Sequence, residues 1–323
     1  MLIAINIDRD LLGVGFFIPR IYMQKKVYDE PFLSYEDQIS LLKERGLLFK
    51  DEALALDLLK RVSYYRLSSY WYPFLEDTQN KIFRKNTDFD TVFELYEFDA
   101  GLRRIIMAEL GNIEIAVRSK MVHTLSSSNG SFWLEKKDLF FDSEEYEKTI
   151  SKIIGEINRN NESFIVSFKK EFSNEIPPAF MVMETTSFGT LSRLYKNLKL
   201  PKDKQEIARF FGLSGRTFGS WLHSLSYVRN ICAHHARLWN RPLRIPPKDY
   251  ESRQGTSKEI WLDNSQNRER IYIILSIIIY LLNAINPKHS FKQELKKLFY
   301  KYTNINKAAM GFPDNWEKEA LWM

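Results

Sequence analysis

The sequence predicts an all-α protein on three observations. Apolar residues recur at three- and four-residue intervals through most of the chain, polar capping patterns open several of those stretches, and strand-like alternation is scarce. Ser34 with Asp37 has capping-box spacing and opens a helix ending near Gly46. Asp51 opens another, with Leu54, Leu58, Leu59 and Val62 at helical spacing. An aromatic stretch follows (Tyr64, Tyr65, Tyr70, Trp71, Tyr72, Phe74), suited to stacking on bases and equally to packing within a core. Lys81 to Arg84 has the pattern of a short strand.

Thr87 with Asp90 marks the start of a long helix. Its apolar positions are Val92, Leu95, Leu102, Ile106, Leu110, Ile113, Val117 and Met121, and it is expected to stop at the polar run from Ser126 to Ser131. Further helices are expected over Ser143–Asn158 and Glu162–Glu171. Pro177-Pro178 then breaks the pattern before an amphipathic stretch over Phe180–Leu198. Others follow over Lys202–Phe211, from Ser214 to about Ala236, over Ile271–Ile285 and over Ser290–Lys301. The Ile271 stretch is the most apolar. Its fifteen residues reach only ~22 Å against a bilayer core of ~30 Å, so it reads as a buried core helix.

Composition narrows the function classes. Of 323 residues, 44% are hydrophobic and 27% charged, which is too apolar for a disordered chain, and no fixed-period repeat is present. A single cysteine allows neither an internal disulfide nor a Cys-based zinc cluster, so a reducing compartment, the cytoplasm, is expected. The first 22 residues carry Asp8, Arg9 and Asp10 in mid-stretch and lack a basic start and a small-residue cleavage site. They do not read as a signal peptide, and Met23 is an equally good start. No P-loop, dinucleotide fingerprint or G-x-S-x-G elbow occurs. His123 and His223 lack a carboxylate or thiolate at metal spacing, so no metal site is expected.

The net charge of +6 is concentrated. Residues 207–248 hold Arg209, Arg216, Arg229, Arg237, Arg241, Arg244 and Lys248 with no Asp or Glu, leaving the other 281 residues at −1. So one-signed a window favours a phosphate-bearing partner, although a solvated basic face has the same composition. Part of it, Ile207 to Ser214 leading into Phe218 and Trp221, has the outline of a helix-turn-helix. Its second helix would carry Phe218, Trp221, Leu222 and Leu225 where a DNA reader needs polar side chains.

Within the window, Arg229, Asn230 and His234 form the set best suited to chemistry. On a helix Asn230 and His234 share a face, while Arg229 lies about 140° from His234, among apolar positions. A cation there needs an acid or a cleft shared with another helix or subunit. RNA can be cut without metal through its own 2′-hydroxyl. An imidazole can then serve as acid or base, a guanidinium can hold the phosphate in its planar fork, and an amide can orient either group. R-x-x-x-x-H spacing alone has little specificity. Glu114 has two readings: an ordinary i,i+4 salt bridge with Arg118, or an acid that reaches Arg229 or His234. His235 is turned away from His234 and reads as a supporting or surface residue, and Cys232 reads as helix packing.

From about Pro31 to the end, the sequence resembles the Abi-like (abortive infection, AbiD/AbiF) family of bacterial phage-defence proteins, a branch of the HEPN ribonuclease superfamily. The matching blocks run in order. They are Arg45-Gly46, Tyr64-Tyr65-Arg66-Leu67 with Tyr70-Trp71, Leu95 to Asp99 with Leu102-Arg103, and Ile113-Glu114-Ile115 with Arg118. Arg229-Asn230 through His234, Trp239-Asn240-Arg241, Tyr280-Leu281-Leu282, Asn286-Pro287 and Met310 to Pro313 with Trp316 complete the set.

The resemblance implies a HEPN-type helical bundle with additional N-terminal helices. It makes residues 1–30 an extension and 31–323 a single Abi-like domain whose HEPN core spans about 88–125 and 180–301. It further implies a homodimer with a composite cleft and a metal-independent endoribonuclease needing no cofactor. Arg229 would bind the scissile phosphate, His234 would act as acid/base, and Asn230 would support them. Arg216, Arg237, Arg241 and Arg244 are expected to contact RNA. Two other readings remain open: an RNA-binding defence module without turnover, partnered by a small non-coding RNA or an antitoxin, and a structural helical assembly that meets an acidic protein.

Overall fold

The computed structural model describes residues 31–250 and 268–323. The expected 1–30 extension and the possible start at Met23 lie outside the described residues. Within them the all-α expectation holds: there are twelve α-helices and one two-stranded sheet.

Three small helices come first: α1 (Tyr35–Glu44), α2 (Glu52–Val62) and α3 (Tyr64–Ser68). The Ser34–Asp37 capping box forms as expected, and Asp51 caps α2 by accepting from the Leu54 N–H at 2.9 Å. Strands β1 (Leu75–Asp77) and β2 (Ile82–Phe83) pair antiparallel, which confirms the short strand at Ile82–Phe83.

Helix α4 (Phe89–Asn129) is the axis of the molecule, 41 residues and about 60 Å long. Its N-cap is Asp88, one residue beyond Thr87, because the Asp88 carboxylate accepts from both the N–H and the hydroxyl of Thr91 at 2.8 Å. The helix also runs through the serine-rich segment instead of stopping before it. Ser127 and Asn129 return their side chains to the carbonyls of Thr124 and Leu125, and the chain leaves the helix at Gly130, where φ is +79°.

The remaining helices are α5 (Ser143–Arg159), α6 (Ser163–Glu171), α7 (Ala179–Thr185), α8 (Phe188–Asn197), α9 (Pro201–Arg209), α10 (Gly215–Ala233), α11 (Ile271–Ile285) and α12 (Phe291–Lys301). The stretch expected as one helix over Phe180–Leu198 is thus two, broken at Thr186. Ser187 restarts the helix by accepting from the Thr190 N–H at 3.3 Å.

Helices α7 to α12 pack around α4, and α10 also packs on α8 and α9. Close approach of α12 to α4 needs Gly101, where a Cβ would stand 2.7 Å from a Leu298 methyl. Eleven of the fifteen residues of α11 are buried, as expected of a core helix. Phe218, Trp221, Leu222 and Leu225 are wholly buried, so the face that a helix-turn-helix would offer to DNA lies inside the core.

Candidate functional site

The site forms where α10 ends. Helix α10 stops at Ala233, three residues short of the expected Ala236, and His234 is its C-cap. The Ala236 N–H returns to the carbonyl of Ile231 and the His235 N–H to that of Cys232, both at 3.0 Å, closing a Schellman-type turn. His235 takes the left-handed position usually held by glycine, with φ +53°. His234 and Asn230 therefore stand exposed at the end of the helix, with no side-chain hydrogen bond among the described residues.

Three contacts hold this turn, and of the side chains that make them the sequence marks only Arg237, for RNA contact. Arg66 on α3 donates to the carbonyl of His235 at 2.6 Å. Arg237 donates to the carbonyl of Ser69 at 2.5 Å. The fully buried carboxylate of Asp99 on α4 accepts from the backbone N–H of Trp239 at 2.6 Å and of Leu238 at 3.1 Å, from the Tyr70 hydroxyl at 2.6 Å, and from Arg103 in an ion pair. Burial raises the Asp99 carboxyl, and Arg103, Tyr70 and the two amides act against that rise. Asp99 lies between Leu95 and Leu102 on the apolar stripe of α4. A charge on a core stripe was the signal that could have found it.

Arg229 is half-buried. Its Nε is sealed from solvent without a hydrogen-bond partner, and among the described residues no carboxylate lies within 4 Å of its guanidinium. Both readings of Glu114 have a basis. Its ion pair is with Arg118 at 2.9 Å, and Arg118 also reaches the carbonyl of Thr186 at 3.1 Å and Glu184 at 3.5 Å. Burial pushes the Glu114 carboxyl above the usual carboxylate range, and the positive charges of Arg118 and, from beyond ion-pair distance, Arg229 pull it back. The acid expected near Arg229 therefore acts on it through the field and not as an ion-pair partner.

The other expected basic residues separate. Arg241 is half-buried and donates to the carbonyl of Arg237 at 3.1 Å, whereas Arg244 is exposed beyond it. Arg216 is exposed on the first turn of α10, ~20 Å along the helix from Arg229. His235 is exposed. Cys232 is buried, and that burial pushes its thiol up to about 12. Among the described residues no three His, Cys, Asp or Glu gather as a metal ion would require, and no helix is long and apolar enough to cross a membrane.

The profile of the Abi-like protein family matches residues 57–240, a span that starts in α2, includes Asp99, Glu114, Arg229 and His234, and ends at Asn240. The chain belongs to the Abi-like protein family, and that membership suggests a part in abortive-infection defence. No curated protein and no solved structure matches the sequence.

Proposed function

We propose that the chain is an endoribonuclease of abortive infection whose reacting groups are Arg229, Asn230 and His234, brought together in a composite cleft by two copies of a HEPN unit spanning about 88–125 and 180–301. The observation that carries this reading is the guanidinium of Arg229. It is half-buried, it has no carboxylate within 4 Å among the described residues, and it sits five residues before an exposed imidazole. A guanidinium withheld from water without a counter-charge is unfavourable alone and becomes favourable when an anion arrives.

The chemistry suits these groups and calls on no metal. One imidazole removes the proton of the ribose 2′-hydroxyl, and the freed oxygen attacks the adjacent phosphorus. A P–O2′ bond forms, the P–O5′ bond breaks, and the leaving 5′-oxygen takes a proton from a second imidazole. The products are a 2′,3′-cyclic phosphate and a 5′-hydroxyl. With one His234 in each copy, a dimer supplies both imidazoles, and Arg229 neutralises the phosphorane charge through its planar fork. Asn230 orients the phosphate, Glu114 positions Arg229 through the field it shares with Arg118, and Arg237, Arg241 and Arg244 supply contacts to the flanking backbone.

Labelled RNA incubated with the protein in excess EDTA is expected to be cleaved, and His234→Ala to slow cleavage by a factor on the order of 10² to 10⁴. Cleavage that His234→Ala leaves unchanged would remove the reaction from this site. Among the described residues Asn230 and His234 have no side-chain partner, which favours one second reading: an RNA-binding module without turnover. In that case His234→Ala changes neither RNA binding nor toxicity on induction, while Arg244→Ala weakens binding and flattens its salt dependence.

A further inference from the structure

On the first half of α10, from Gly215 to His223 and so ~16–28 Å along the helix from His234, lies a separate cavity of about 610 Å³. Lys196 at the end of α8, Lys199 just beyond it, Lys204 on α9, Arg216 on α10 and Lys248 at the end of the basic window line it, together with His223. Among the described residues no Asp or Glu contributes to the lining. Of the neighbouring carboxylates, Asp203, next to Lys204 in the chain, is buried, and three others are engaged elsewhere. Glu206 pairs with Arg209 at 3.0 Å, Asp249 pairs with Arg268, and Asp142 caps α5 by accepting from the N–H groups of Glu144 and Glu145. None of the five lining cations has a carboxylate within 4 Å among the described residues.

Five like charges around one concavity repel one another; four are exposed, and burial sharpens the cost only at the half-buried Lys204. Burial lowers the Lys204 ammonium, and burial together with Lys196 lowers His223. The start of α10 contributes little to this field. Its Gly215 N–H is taken by Gln205 at 3.0 Å and its Thr217 N–H by Ser214 at 3.1 Å, so side chains carry the positive potential.

We propose that this cavity binds a small ligand bearing several phosphoryl groups in a row, such as a nucleoside triphosphate or a bare polyphosphate, at a site separate from Arg229 and His234. The volume falls within the range of small-molecule sites, ~300–1,000 Å³. The cations converge on a concavity instead of running in a stripe, which fits a compact anion better than an extended nucleic-acid backbone. The phosphate chain dominates recognition. Among the described residues the one aromatic in the lining, Tyr195, is buried and shares its hydroxyl proton between the carbonyls of Lys204 and Gly215 at 2.9 and 3.0 Å, leaving no open ring face for a base. The proposal does not depend on the ribonuclease reading.

Isothermal titration of the full chain with inorganic tripolyphosphate, ATP and a short single-stranded RNA tests it. Tripolyphosphate and ATP are expected to saturate one site with similar affinity, and the exposed pair Lys199→Glu with Lys248→Glu to weaken both by roughly tenfold or more. Lys199→Gln with Lys248→Gln is expected to fall between, which separates lost charge from damaged fold. RNA cleavage by the charge-reversed pair, followed in parallel, reports on the Arg229 site independently. No saturable binding of either small anion at millimolar concentration would overturn the proposal, as would binding that the double variants leave unchanged. RNA binding that depends on Lys199 and Lys248 while both small anions fail to bind would also overturn it and make the cavity part of an RNA path.

Discussion

Arg66 holds His235. Its guanidinium donates at 2.6 Å to the carbonyl of the residue after the exposed His234, and that residue is itself in a left-handed conformation at φ +53°. A side chain on α3 thereby stabilises a backbone turn that a non-glycine residue adopts at a cost of ~1–2 kcal/mol. His235→Gly should relieve that cost and raise the unfolding free energy by ~1 kcal/mol, read as a higher midpoint in urea. RNA cleavage should be unchanged. A large loss of cleavage with intact stability would give His235 a chemical role.

Asp99 joins α4 to the chain beyond the site. Asp99→Asn leaves Arg103 buried without its counter-charge and turns one acceptor toward the amides of Leu238 and Trp239 as a donor. A loss of ~3–5 kcal/mol is expected in equilibrium unfolding. Stability within 1 kcal/mol of the parent, on the scale of an ordinary surface change of about 0.5 kcal/mol, would mean the cluster contributes little.

Glu114 separates stability from function. Its carboxyl is raised on folding, so its favourable contribution is full below the unfolded carboxylate range and is lost as pH rises through the higher folded value. At neutral pH the ionised carboxylate is therefore the less favourable form, and Glu114→Gln should keep or raise the melting temperature there. At pH 4 the two proteins should converge. If Glu114 positions Arg229, the same variant should slow cleavage by roughly tenfold, the effect of about 1.4 kcal/mol. A melting temperature that falls together with activity would indicate a structural role alone.

Cys232 should be inert. With its thiol buried and pushed up to about 12, it forms almost no thiolate at neutral pH. Ellman's reagent should find no reactive thiol in the native protein and one per chain in denaturant. Rapid native labelling would show that the end of α10 opens.

Periodicity made the helical class legible because a 3.6-residue rhythm survives in any packed helix, and the run from Val92 to Met121 located α4 correctly. Boundaries were legible only where the local chemistry was unambiguous. Ser34 and Asp51 announced their helices, whereas Thr87 and Asp88 are both good caps and the fold chose the second. The break at Thr186 carries neither proline nor glycine, and the end of α10 carries a histidine where a glycine would have signalled the turn. Within the candidate site, spacing placed Asn230 and His234 on one face and singled out Arg229 as an awkward cation. It could not supply Asp99 or Arg66, whose partners lie 139 to 169 residues away and meet them only through tertiary folding.

Those separations bear on timing. The turn at His234 closes on two local backbone bonds, and its side-chain supports come from far along the chain. It waits for a strut from residue 66, an anchor from residue 99 and the amides at 238 and 239 to converge across most of the chain. Long-range closures of this kind come late, after local helices have formed. During synthesis, a chain still missing the segment that carries Leu238 and Trp239 has all of α4 and α8 but no organised end to α10. The end of α10 that carries Arg229, Asn230 and His234 is therefore organised only when nearly three-quarters of the chain has been synthesised.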